Sequence, residues 1–189
     1  MLTRDEALTL IDAHVSKRNW VSHMIAVEAI MRGLAAYLGG DEEAWSLVGL
    51  LHDIDFGETE KTPERHGLEA EKILEGRMPE NIIRAIKAHN PEYTGITPES
   101  RMEKSLIAAD AVSGLVIASA LVMPSKRMEE VTVKTLEKKF HQKDFAKGAD
   151  RDRIRVHEEL GIPREKFFEI ALDSLKKVSK TRLWDTFLC

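Results

Sequence analysis

The chain has 189 residues, 43% hydrophobic and 32% charged, with a formal net charge of −4; this suits one folded domain with a sizeable core and excludes a disordered segment. The acidic balance gives no general attraction for nucleic acid or a membrane surface, so an anionic ligand must be held by a local patch. The only cysteine, Cys189, excludes an internal disulfide and a cysteine-based zinc site and fits a reducing cytoplasm, while "MLTRDEALTL" places charges where a signal peptide needs its apolar stretch and no unbroken apolar run approaches the roughly 18 residues of a membrane span.

The predicted elements are helical nearly throughout. Thr3 and Glu6 read as a capping box for a first helix carrying Ala7, Leu8, Leu10 and Ile11. A second is expected from Ser22 as N-cap to Gly39-Gly40, and a third from Asp41, with Trp45, Val48 and Leu51 on one face. Pro63 opens a fourth that runs to Gly76, and Pro79 a fifth that stops at His89-Asn90-Pro91. Pro98 opens a long sixth that ends at Pro124. Further helices are expected around Met128 to Phe140, Asp150 to Leu160 and Pro163 to Leu183. No alternating apolar run flanked by hairpin dipeptides occurs, so no strand is expected. The fold class is all-α, a compact helical bundle over residues 1–189.

Against this frame the metal-ligand types fall at chosen places. His23 lies early in the second helix, His52-Asp53 at the end of the third, His66 at the start of the fourth and His89 at the end of the fifth. Asp110 sits mid-helix within "LIAADAVSGLVIASAL". A carboxylate among Leu106, Ile107, Val112 and Leu115 costs several kcal/mol if buried unpaired, so it calls for a cation; a polar stripe with Ser113 would equally accommodate it. Each histidine taken singly reads more readily as a helix cap, dipole partner or surface residue than as a ligand. Together, neighbouring helices of a bundle can bring them to one mouth. Asp55, Glu58 and Glu60 read as a solvated loop, with Asp55 or Glu58 as alternative proton-transfer groups.

The order His, then His-Asp, then Asp resembles that of the HD-domain metal-dependent phosphohydrolase superfamily, over roughly Ser22 to Ala120, and in particular a group of small single-domain predicted hydrolases. The resemblance implies a helical metal-binding core over about 22–120, with the helices of about 128–187 covering or extending it. It implies His23, His52, Asp53 and Asp110 as metal ligands, with His66 and His89 where binuclear members place further histidines. The frequent "HDIG" or "HDIGK" becomes "HDID" here, with Asp55 for glycine and Phe56 for lysine, so the cyclic-dinucleotide phosphodiesterase branch is not supported.

The implied cofactor is one or two divalent ions from Fe, Mn, Co, Ni or Zn, among which imidazole and carboxylate ligands do not choose. Asp53, able to bridge two ions, His89 and Asp55 are the expected catalytic residues, and a metal-activated water the expected nucleophile. The substrate class is a nucleotide or another small phosphate ester, not extended nucleic acid. Beyond the metals, Lys126, Arg127, Lys138, Lys139, Lys143, Lys147 and Arg151 form basic stretches, interleaved with Phe140 and Phe145. Lys139, Lys147 and Arg151 are the residues expected to contact phosphate; a solvated lysine-rich helix over two core phenylalanines is the alternative. A di-iron oxygenase and a non-catalytic metal- or nucleotide-binding regulator are the competing functions, and a homodimer stays open.

Overall fold

A computed structural model describes residues 1–142 and 144–180. Lys143, Cys189 and the expected end of the last helix at Leu183 lie outside the described residues. Among these, every regular element is helical. The α-helices are α1 (Arg4–His14), α2 (Arg18–Leu38), α3 (Glu42–Leu51), α4 (Phe56–Thr59), α5 (Leu68–Leu74), α6 (Glu80–Ala88), α7 (Pro91–Thr94), α8 (Arg101–Leu121), α9 (Val133–Phe140), α10 (Arg151–Arg155) and α11 (Arg164–Val178).

Local chemistry sets most of the boundaries. The Thr3 hydroxyl accepts from the Glu6 N–H at 3.3 Å while the Glu6 carboxylate accepts from the Thr3 N–H at 2.7 Å, the reciprocal box expected for α1. Asp41 caps α3 through the amides of Glu43 and Ala44, both at 3.0 Å. Elsewhere the boundaries move. α2 begins at Arg18 with no side-chain cap, because Trp20 packs edge-on against Phe56 with Lys17 over its ring and so draws the extra turn into the fold. Ser22 is therefore buried inside α2 rather than capping it. Pro63 opens only a short 3-10 turn, Pro63–Arg65, before α5. The cap of α8 is Ser100, two residues after Pro98, in a box with Glu103. Short 3-10 turns at Met128–Glu130 and Val156–Leu160 replace parts of two expected helices.

α2 and α8, 21 residues each, are long and apolar enough to cross a membrane by length and composition, a property hidden from a search for unbroken apolar runs. Their most apolar windows are 56% and 72% buried inside the protein, as core helices are. One hydrophobic cluster runs from Ala7 and Ile11 through Met24, Leu50, Ile86 and Val112 to Phe140, Phe167, Phe168 and Leu175. The closest approach that matters for function is at Gly49. A Cβ there would lie 2.8 Å from the Val27 carbonyl oxygen and 2.9 Å from Glu28 Cα, so the missing side chain is what lets α3 lie directly on the backbone of α2.

Candidate metal centre

That close approach aligns the end of α3 with His23, now in the second turn of α2. His52 and Asp53 follow α3 directly, His66 follows the Pro63–Arg65 turn, His89 closes α6, and Asp110 projects from the middle of α8. The structure brings all six together. His23 Nε2 lies 3.2 Å from Asp110 Oδ1 and 3.7 Å from Asp53 Oδ2, and His52 Nε2 lies 3.4 Å from Asp53 Oδ2 and 3.9 Å from Asp110 Oδ1. On the other side of Asp53, Oδ1 is 3.3 Å from His66 Nε2 and 3.7 Å from His89 Nε2. Two clusters result, His23-His52-Asp53 and Asp53-His66-His89, whose ligand atoms in each case lie within 4.8 Å of one another. They share one carboxylate.

The Nδ1 atoms explain why the Nε2 atoms converge. His52 Nδ1 donates to the Gly49 carbonyl at 2.8 Å, His66 Nδ1 to Asp55 Oδ1 at 2.8 Å, and His89 Nδ1 to the Ile86 carbonyl. The Ser113 hydroxyl donates to the Asp110 carbonyl at 2.8 Å, so it accepts from His23 Nδ1 at 3.2 Å. Each acceptor places the ring proton on Nδ1 and leaves the Nε2 lone pair for the centre, the arrangement that metal-ligating imidazoles use.

Two features suit a bound cation. His52 Nε2 is buried with no hydrogen-bond partner, which is costly for a neutral group and natural for a ligand atom. His66 Nε2 and His89 Nε2 face each other at 2.9 Å; two lone pairs at that distance repel unless a proton or a metal ion lies between them. The residues present therefore fit a divalent metal.

The electrostatics of the metal-free site divide the imidazoles into one held neutral and two held charged. Burial pushes the His52 pKa down to about 4, against the pull of Asp53 and Asp110, and keeps it neutral. Burial also opposes a charge on His66, but hydrogen bonds to Asp53 and Asp55 outweigh it and raise its pKa to about 10. At His23 burial is likewise outweighed, by the hydrogen bond and charge of Asp110, and the pKa rises. Burial works against ionisation of Asp53 and Asp110 too, yet the surrounding imidazoles hold both well below the usual carboxylate range, with Arg153 adding to the effect on Asp110. Both stay ionised in the centre.

Other expected residues are placed differently. Asp55 is no solvated loop residue. It is fully buried, and besides His66 it accepts from the Gly67 N–H at 2.7 Å and the Ala70 N–H at 3.0 Å. Its carboxylate oxygens are engaged in holding the His66 ring and the start of α5. Glu58 is exposed and lies 3.4 Å from His14 Nδ1. Arg151 does not offer its guanidinium to phosphate: it donates to the carbonyls of Lys139, Phe140, Gln142, Phe145, Ala146 and Ala149, stapling the turn before α10. Lys139 lies over the Phe145 ring, 4.2 Å from its centroid, and Phe140 is core. Lys147 is exposed and 3.5 Å from Asp144.

Two clefts open on the centre. One, of about 210 Å³, is lined by Asp53, Phe56, His66, His89, Asn90, Asp110 and Arg153. The other, of about 250 Å³, lies between His23 and the 148–150 turn. Sequence reasoning missed Arg153, which donates through Nη2 to the His89 carbonyl at 2.8 Å and to Asp110 Oδ2 at 3.1 Å. It also missed the roles of Ser113 and Gly49. No sequence signal singles out Arg153 among its basic neighbours; only a helix from about Asp150 was legible.

A helical bundle converging four imidazoles and two carboxylates on one mouth defines a metal-binding class of fold. The family model for the HD domain matches residues 20–115, and the chain belongs to the HD-domain family, within the superfamily of metal-dependent phosphohydrolases. The chain is also similar to a ribonuclease Y from Sulfurovum sp. (strain NBC37-1), with 29% identity over 143 residues, 74% of this chain. It spans only 27% of that relative's length. No solved structure matches the chain.

Proposed function

We propose that the protein hydrolyses a nucleotide or another small phosphate ester, using one or two divalent transition metals held by His23, His52, Asp53, His66, His89 and Asp110. The observation that carries this reading is Asp53, which turns one oxygen to the His23-His52 pair and the other to the His66-His89 pair. Ions bound there would supply an activated water and offset charge on the phosphoryl group. The chain's own residues do the rest. Backbone carbonyls, Ser113 and Asp55 fix the imidazoles, and Asp110 stays ionised between His23 and Arg153. The small clefts support a single phosphorylated unit as the group bound.

The likeness to a ribonuclease Y favours a second target, a phosphodiester of RNA. Purified protein assayed with Mn, Fe, Co, Ni and Zn against phosphate monoesters, diesters and a short RNA separates the two. Turnover of a monoester, lowered at least roughly a thousandfold by Asp53→Ala, is the expected result. Turnover of none of these with any metal, by folded and metal-loaded protein, would overturn the proposal.

A further inference from the structure

Phosphate carries charge that metals alone do not fully meet, and the sequence-expected cations line neither cleft at the centre. Lys147 and Arg151 instead border a separate pocket with Phe140, His141 and Arg155. Among the described lining residues of the two central clefts, the one lysine or arginine is Arg153, and it lines both. Its side chain is 35% exposed, next to an Asp110 that is 23% exposed. Nη2 is committed to the His89 carbonyl and Asp110 and Nε is buried, which leaves Nη1 as the nitrogen that can meet a ligand in the clefts.

The surrounding chain holds Arg153 in place. Asp150 Oδ1 accepts from the amides of Asp152 at 2.8 Å and Arg153 at 3.3 Å, fixing the first turn of α10. Arg151 clamps the preceding turn through its carbonyls, from Lys139 to Ala149. Arg151 builds the turn so that Arg153, two residues on, can reach the centre. The segment that does this lies beyond the HD-domain match at 20–115.

We propose that Arg153 is the residue that anchors the substrate phosphate, supplied to the metal centre by the carboxy-terminal segment. This rests on the reading of the site as one for phosphate esters. A guanidinium suits the role because its planar fork can keep the Nη2 bond to Asp110 while the N–H groups of Nη1 take phosphoryl oxygens, which a lysine ammonium cannot match in geometry.

Calorimetric titration of the manganese-loaded protein with inorganic phosphate tests it, with manganese content measured in parallel. Wild type should bind phosphate, Arg153→Gln should bind it roughly 10- to 100-fold more weakly with manganese content unchanged, and Lys147→Ala should match wild type. If Arg153→Gln does not fold, Arg153→Lys carries the test, with several-fold weaker phosphate binding expected. Wild-type affinity in the folded variant would overturn the proposal. So would loss of manganese from Arg153→Gln, since Arg153 would then act only through Asp110, and so would the absence of phosphate binding by wild type. Phosphate binding that depends on Arg153, in a protein that hydrolyses no ester, would sink the hydrolase reading and leave the anchor standing.

Discussion

A fully buried carboxylate outside the six candidate ligands decides which nitrogen His66 turns to the centre. Asp55 accepts three hydrogen bonds, from His66 Nδ1 and from the amides of Gly67 and Ala70. In Asp55→Asn one amide oxygen can serve the two backbone N–H groups, which turns the NH₂ toward His66 Nδ1 and makes that nitrogen an acceptor. The ring proton then moves to Nε2, where an ion would bind. We expect Asp55→Asn to fold, and its affinity for metal on the His66-His89 side to fall by about 10- to 100-fold; unchanged metal content and an unchanged imidazole tautomer by ¹⁵N NMR would refute this. A second expectation concerns pH. His66 keeps its proton up to about 10, above its ordinary 6.5, so an ion binding at neutral pH must displace that proton. Metal affinity on this side therefore weakens as pH falls, and calorimetry in buffers of different ionisation enthalpy should register the released proton. Without metal the sign reverses: the contribution of charged His66 to stability is full below about 6.5 and is lost as pH rises toward about 10. The ligand types were legible as residues, because His23, His52-Asp53 and Asp110 stand in a recognisable order. The role of Asp55 was not, since no pattern along the chain says which way a carboxylate in a turn will point.

The elements themselves were read from caps and breakers where those exist. The Thr3 and Asp41 caps hold, and so does the stop at Asn90-Pro91. The start of α2 was misplaced because it has no capping side chain and is set by Trp20 on Phe56, a contact 36 residues apart in sequence. Gly49 gave no signal either, because a glycine in a helix reads only as a cost of about 1 kcal/mol relative to alanine. Its meaning is tertiary. A methyl group there would meet the Val27 carbonyl and the Glu28 backbone, neither of which can yield without moving α2. Gly49→Ala should thus destabilise by about 2 kcal/mol, although the same change on an exposed helix face would stabilise. The two helices it would separate carry His23 on one and His52-Asp53 on the other, and the Gly49 carbonyl holds His52 Nδ1. Metal affinity should fall along with the denaturation midpoint. A variant as stable as wild type, with full metal content, would show that the interface adapts more freely than its spacing suggests.

At the scale of the whole molecule, the question is whether the carboxy-terminal helices are a removable cover or part of the fold that holds the metals. The HD-domain match stops at residue 115, yet the hydrophobic cluster continues through Leu136, Phe140, Phe167 and Phe168 without a break. Arg153 adds a polar tie from α10 to Asp110 and to the His89 carbonyl. We therefore expect one cooperative unit. Phe168 is the test position: it is fully buried, remote from the metal ligands in sequence, and packs edge-on against Phe140 at 5.8 Å between ring centroids. Phe168→Ala removes a core aromatic and should cost about 3–5 kcal/mol. If the chain unfolds as one, the slowest-exchanging amides of α3 and those of α11 should both gain exchange by the same factor, roughly a hundredfold or more. A rise confined to α11, with α3 unchanged, would instead make the carboxy-terminal helices a separate module docked on the metal-binding core. Arg153 would then reach the centre only while that module stays docked, and phosphate affinity in Phe168→Ala would drop while metal content held.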